Sequence, residues 1–196
     1  MAKAMSGEKI KTPSAESLAE AARSQNGRGL PPVHDWNPPF CGDLDMRIAR
    51  DGTWFYLGTP IGRKELVRLF STILRKDGDK YFLVTPVEKV GITVEDAPFV
   101  AVDFHAEGAG PDQVLTFTTN VGDDTAASAD NPIRVERDEE TGEPAPYVHV
   151  RAGLEALIDR KSFYRLVDIG AHHEGWFGLW SSSSFFPVIP SEELPD

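Results

Sequence analysis

Two adjacent histidines followed by a carboxylate, His172-His173-Glu174, are the first residues whose types suggest chemistry. Imidazole and carboxylate are zinc ligands. Neighbouring side chains on a strand point to opposite faces, so the pair would not converge on one ion there. No second histidine follows at helical spacing, so the zinc-protease pattern is missing. The expectation is a polar turn before Gly175 and no metal site. His34, His105 and His149 have no partners at ligand spacing either. Cys41, the single cysteine, would need a base and an orienting group to act as a nucleophile, and only His34 is near in sequence. A buried structural thiol is expected instead. Asp43 and Asp45 share one face of a strand. Such a pair can hydrolyse or hold magnesium, but Arg47 and Arg50 follow at once, so ion pairing is expected. The serine run at 181–184 lacks a Gly-x-Ser-x-Gly elbow. The stretch GTPIGRK at 58–64 has neither the glycine spacing nor the Lys-Ser/Thr ending of a phosphate loop. No catalytic residue and no cofactor is assigned.

The arginines carry more information. MRIARDG at 46–52 is echoed by IRVERDE at 133–139. Arg47, Arg50 and Asp51 match Arg134, Arg137 and Asp138. Further along, Arg63, Leu66 and Leu69 match Arg151, Leu154 and Leu157, and Tyr81, Leu83 and Val84 match Tyr164, Leu166 and Val167. Self-similarity in the same order at a long period indicates a duplicated unit. Arg63 and Arg151 then both fall at helix starts, where the helix dipole disfavours a cation. That placement asks for an anion. Asp51 and Asp138 could supply it in matching ion pairs, or a phosphate or acidic peptide could be held there by helix-start amides and a guanidinium. The candidate ligand-binding set is Arg47, Arg50, Arg63, Arg134, Arg137, His149 and Arg151.

The elements that would position these residues follow from pattern and punctuation. Residues 1–30 read as a flexible tail with one short helix near Ser17-Leu18-Ala19-Glu20, where Leu18 is the only large apolar residue. Weak packing is expected there, and deletion of residues 1–28 should leave melting nearly unchanged. LPPVHDWNPPFCG at 30–42 is held extended by four prolines. A hairpin turns at Asp51-Gly52. A helix starts at Thr59-Pro60 and carries Ile61, Leu66, Leu69, Phe70, Ile73 and Leu74 on one face until Asp77-Gly78 stops it. KYFLVTP, VEKVGITVED, FVAVDFHAE and QVLTFTTN read as strands. The small polar segment 122–131 reads as the connection between halves. The second half repeats the order: a hairpin through PIRVERD and YVHV, a helix over RAGLEALIDR, then strands SFYRLVDIG and WFGLWSSSSFFPV. The expected domains are thus 31–121 and 132–190, with a loose end at 191–196. Together they make an α+β fold of two hairpin-helix-strand halves with mostly antiparallel sheets.

Composition bounds the function. Three basic and fourteen acidic residues between 88 and 143 account for a local charge equal to the chain's net −11. An acidic chain lacks the basic footprint of a general DNA binder. One cysteine excludes an intrachain disulfide. No apolar run reaches membrane-spanning length, and the lysine-bearing start has no signal-like core, so a cytoplasmic location without membrane association is expected.

The run NPPFCGDLDMRIARDGTWFYLGTPIGRKELVRLFSTILRKDG, followed by YFLVTPVEKVGI, resembles the proteobacterial domain-of-unknown-function family 1285. PYVHVRAGLEALIDRKSFYRLV and GLWSSSSFFPV resemble it more loosely, so the likeness spans roughly residues 30–190. The family has no established activity or catalytic residues. The resemblance implies a duplicated core with a C-terminal half superficially like a pleckstrin-homology fold. It also implies a binding surface between halves for protein, nucleic acid or another ligand, with a role in signal transduction or regulation. The residues and the resemblance together give a non-enzymatic binding protein whose ligand is a protein, a nucleic acid or a small anionic molecule. The alternative is a hydrolase using Asp45 with His149 or His172 in the cleft between halves. A third is an interaction module presenting Trp176, Phe177 and Trp180.

Overall fold

The computed structural model describes residues 12–25 and 27–195. Strands dominate. β1 (Phe40–Ile48), β2 (Trp54–Tyr56), β3 (Thr59–Pro60), β4 (Leu74–Asp77), β5 (Lys80–Val84) and β6 (Lys89–Val94) form one sheet in the order β3-β2-β1-β6-β5-β4. β7 (Phe99–Glu107), β8 (Val114–Thr119), β9 (Asp124–Ala126), β10 (Ile133–Arg137), β11 (Pro144–Arg151) and β12 (Leu154–Ile158) form a second, ordered β10-β11-β12-β7-β8-β9. Adding six to each strand number of the first sheet yields the second, read from its other edge. Each sheet is two three-stranded meanders whose first and last strands pair parallel in the centre: β1 with β6, and β7 with β12. All other pairings are antiparallel, so the α+β fold with two similar halves is present.

The duplication is real, but its alignment differs from the one the echo suggests. β1 corresponds to β7, not to β10. The boundary between halves lies between β6 and β7, and the segment 122–131 is no connection between them: it holds β9, which pairs with β8. The repeated Arg-x-x-Arg-Asp phrase instead marks two hairpin turns of like chemistry. Asp51 Oδ1 accepts the Thr53 amide at 2.9 Å. Asp138 Oδ1 accepts the Glu140 and Thr141 amides at 2.9 and 2.7 Å. An aspartate that folds its own turn recurs wherever such a turn is made.

Two helical elements change identity. RAGLEALIDR forms strand β12, in which Leu154, Ala156 and Ile158 are buried and Glu155 and Leu157 are half-buried. Leu154, Leu157 and Ile158 also fit helical spacing, so this short apolar pattern suits either element. SFYRLVDIG, expected as a strand, falls mostly on helix α3 (Arg160–Val167), which follows α1 (Ala15–Ser24) and α2 (Lys64–Thr72) in the chain. Thr59-Pro60 is strand β3, not a helix start, because Leu57 and Gly58 both adopt positive φ (51° and 77°) and turn the chain back antiparallel onto β2. Asp77-Gly78 closes the β4–β5 hairpin rather than ending a helix.

α2 crosses from β3 to β4 and packs on α1. Ser14 caps α1 reciprocally with Ser17, and Ala15, Leu18, Ala19 and Ala22 are buried in the main core. The short helix near Leu18 therefore exists and is docked, because three alanines let the helices approach closely around one leucine. Residues 1–11 and 26 of the expected tail lie outside the described residues. In the second half no helix occupies the crossover. Its cover comes from α3 and a third sheet of β13 (Ala171–His173), β14 (Trp176–Ser181) and β15 (Ser184–Pro190). Leu179 and Phe186 of that sheet enter the same hydrophobic cluster as Leu18, Trp54, Phe70, Phe99 and Leu154. Among the described residues no helix is long and apolar enough to cross a membrane.

Candidate functional site: a groove where the halves meet

Arg50 stands on the turn after β1, and Asp96 on the link from β6 to β7. The far end of the β10–β11 hairpin and the first turns of α3 complete a groove of about 680 Å³. Backbone hydrogen bonding explains each position. The Thr53 amide on Asp51 fixes the turn that presents Arg50. The Asp138 turn fixes Glu136, Arg137 and Glu143 around the hairpin end. Asp159 caps α3 by accepting the Ser162 amide at 2.8 Å, which places Arg160 at the mouth. Backbone hydrogen bonds, with Thr53 and Thr141 foremost, hold the Asp51 and Asp138 carboxyls below their ordinary value. The Arg50 charge is a minor further cause at Asp138.

The floor is Tyr147, Phe163, Pro146, Leu157 and Ile158, with Tyr164 62% exposed at the lip. The Tyr147 hydroxyl donates to Asp96 Oδ1 at 2.7 Å. Burial first, and that hydrogen bond second, push the phenol well above its ordinary value, so it remains a donor. Asp96 Oδ2 accepts no hydrogen bond and lies 3.4 Å from Arg50 Nε.

The charges divide unevenly between committed and uncommitted groups. Glu136 pairs with Arg134. Asp138 and Asp159 accept backbone amides. Arg137 Nη1 donates to Glu193 at 2.9 Å. Arg50 and Arg160 have 65% and 74% of their side chains exposed, and their nearest carboxylates are 3.4 and 3.9 Å away. Neither guanidinium donates a hydrogen bond within the described residues.

Of the candidate ligand-binding residues, the structure thus brings Arg50 and Arg137 to the groove. Arg47 pairs with Glu95 and lies 4.2 Å over the Phe55 ring. Arg134 binds Glu155 through Nε and Nη2 at 2.8 and 2.6 Å and covers Tyr147 at 4.3 Å. Arg63 is the N-cap of α2 and borders a separate hollow of about 400 Å³ with Arg23, Glu65, Leu66 and Leu69. Arg151 ends β11. It pairs with Asp123 and donates to the Ser71 carbonyl at 2.9 Å, at the C-terminal end of α2, where a cation is favoured. The expected pairs of Arg63 with Asp51 and Arg151 with Asp138 do not form. His149 Nε2 accepts the Gly153 amide at 2.9 Å and serves its own hairpin.

The remaining candidates are dispersed. Asp43 and Asp45 do not pair with Arg47 or Arg50, which reach Glu95 and Asp96 instead. Asp45 shares no hydrogen bond with His149 or His172. The His172 ring contacts Ser191 Oγ at 2.8 Å, and His173 packs against Trp180 and Phe185 at 4.8 and 5.0 Å. Cys41 is exposed, not buried, with its thiol donating to the Pro39 carbonyl at 3.3 Å. Among the described residues no three His, Cys, Asp or Glu converge to hold a metal ion. Asp96, Tyr147, Arg160, Phe163 and Tyr164 were missed. Asp159 ahead of Arg160-Lys161-Ser162 was a legible N-cap, hidden by assigning the helix to the preceding strand.

No curated protein matches the chain. A crystal structure of a DUF1285 family protein from Silicibacter pomeroyi DSS-3 is 67% identical, covering 90% of this chain and 96% of that one, with a TM-score of 0.85. A second, from Shewanella baltica OS155, is 33% identical over 64% of this chain and 91% of that one, with a TM-score of 0.50. The family model for the domain of unknown function (DUF1285), N-terminal domain, matches residues 31–97, and that for the protein of unknown function (DUF1285), C-terminal domain, matches 98–188. The join at 97/98 falls in the link between the two sheets, and with both models matched the chain belongs to the DUF1285 family.

Proposed function

We propose that the protein is a non-enzymatic binding protein whose ligand seat is the groove between its halves, and that the ligand presents an anionic group to Arg50 and Arg160. The observation that carries this reading is the imbalance of hydrogen bonding in the groove. Most of its carboxylates already accept hydrogen bonds or form close ion pairs, while two guanidiniums, one from each half, have only loose ion pairs at 3.4 and 3.9 Å and donate no hydrogen bond among the described residues. Exposed guanidinium forks above an aromatic floor suit a carboxylate or phosphate joined to an apolar body. Five carboxylates against three arginines around the rim oppose a long polyanion, which disfavours nucleic acid.

Thermal melting at fixed ionic strength, with inorganic phosphate, citrate and a short acidic peptide as separate probes, tests the reading. The wild type should gain several degrees with at least one probe. Arg160→Gln should lose that gain while its unliganded melting stays within about a degree, since an exposed charge contributes little to stability. Arg50→Gln should lose it too, with a lower unliganded melting because the buried Asp96 Oδ2 loses its cation. A wild type indifferent to every probe, or variants that respond as the wild type does, would sink it.

A further inference from the structure

The third arginine of the groove is not free. Arg137 is held by Glu193, which belongs to a single 3-10 turn, Ser191–Glu193, at the end of β15. The turn is fixed from the other side. The Ser191 amide donates to the Gly175 carbonyl at 2.9 Å, and Ser191 Oγ meets His172 Nδ1 at 2.8 Å. A glutamate on an irregular, proline-flanked piece of polypeptide therefore already sits on one of the three guanidiniums that border the groove. The pair is half-open to water, with side chains 38% and 50% exposed, so it exchanges easily.

We infer that the groove receives an acidic segment of a partner polypeptide, and that the protein's own Glu193 occupies Arg137 until that segment binds. This rests on the anionic-ligand reading above. Three features select a polypeptide over a small anion or a nucleic acid. The volume, about 680 Å³, exceeds what phosphate or a simple dicarboxylate fills. The arginines come from three separate elements, the β1–β2 turn, the β10–β11 hairpin and α3, so one compact anion does not engage all three as well as carboxylates spaced along a chain. Between them lie Pro144, Pro146, Phe163 and the exposed Tyr164 ring, against which apolar side chains of the same segment would pack. The carboxylates among the arginines repel a backbone charged at every unit, but a polypeptide can set neutral residues opposite them.

The test uses fluorescence anisotropy with an end-capped, labelled octapeptide that alternates glutamate with phenylalanine and proline. Its glutamine counterpart serves as control, and phosphate and citrate as competitors. The acidic peptide should bind, and the glutamine version should bind at least about tenfold more weakly, as should the acidic peptide to Arg160→Gln. Glu193→Gln should tighten binding by roughly three- to tenfold by releasing Arg137, and the gain should vanish in the double variant with Arg137→Gln. Circular dichroism checks that each variant is folded. Equal binding of the two peptides overturns the inference. So does a protein that citrate or phosphate stabilises through Arg50 and Arg160 while the peptide fails to bind; the anion reading survives that result. Peptide binding that Glu193→Gln leaves unchanged removes the placeholder role. If neither anion nor peptide binds, both readings fall together.

Discussion

Arg75 has only 8% of its side chain exposed, yet nearly every donor of its guanidinium is used. Nε and Nη2 meet the two oxygens of Asp77 at 2.9 Å each, and Nη1 donates to the Val33 and Trp36 carbonyls at 2.8 and 2.9 Å. Lys89 adds a further contact to Asp77 at 2.7 Å. The arginine thus staples the proline-rich arm before β1 onto the edge strand β4. Arg75→Gln should cost about 3 kcal/mol in denaturant unfolding, because the buried Val33 carbonyl and the part-buried Trp36 carbonyl lose their donor at once and Asp77 keeps only Lys89. The Arg75 hydrogen bond, as the largest cause, lowers the Asp77 carboxyl below its ordinary value near 3.8. Its stabilisation is then complete above that value and disappears as pH falls through the lowered folded value. An acid titration of stability should show that loss in the wild type, and Asp77→Asn should flatten it. Such a role could not be read from the sequence, where Arg75 fell inside the helix expected to run to Asp77-Gly78. Only the antiparallel return at Asp77-Gly78 turns it inward.

At the scale of elements, most strands and the first two helices were legible, but helix boundaries and the third helix were not, largely because of tight turns. Four hairpins close on consecutive residues with positive φ, at Leu57-Gly58, Ala152-Gly153, Glu174-Gly175 and Ser182-Ser183. Two-residue loops of this hand match the twist of antiparallel strands. Asp51-Gly52 announced itself, but Leu-Gly, Ala-Gly and Ser-Ser did not. The missed turns at Leu57-Gly58 and Ala152-Gly153 displaced the helix starts by several residues, and the second carried Arg160 and Tyr164 out of the candidate site, whereas Arg50 and Arg137, beside legible turns, stayed in it. Ser183 sits at φ 64° without the freedom of glycine. Ser183→Gly should therefore raise stability by about 1 kcal/mol. A fall in melting temperature would show that the serine's own contacts outweigh its backbone strain. Leu18 gives the opposite lesson. One leucine in a polar tail suggested weak packing, yet it is fully buried against α2. Leu18→Ala should cost roughly 2–4 kcal/mol, and the same loss on deleting the described helix would confirm that α1 belongs to the folded core.

At the scale of the molecule, the two halves share one hydrophobic cluster, and polar clasps join them along its margin. Asn120 donates to the Gly52 carbonyl at 3.3 Å and accepts the Val100 amide at 3.0 Å. Arg151 spans from Asp123 to the last turn of α2 and lies 5.1 Å from the Phe99 ring centre. Each duplicated unit solves the cover of its sheet differently: the first with α1 on α2, the second with α3 and a three-stranded addition. A unit without its neighbour would expose Trp54 or Phe99, which are almost wholly buried in the joint cluster. Calorimetry should accordingly show one transition whose calorimetric and van't Hoff enthalpies agree, as for a single cooperative domain. Arg151→Gln should lower stability by about 2 kcal/mol, the scale of hydrogen bonds to a charged group, while keeping that single transition. Two resolved transitions in the wild type would mean that the halves unfold separately, and a groove whose walls come from both would then open before either half is lost.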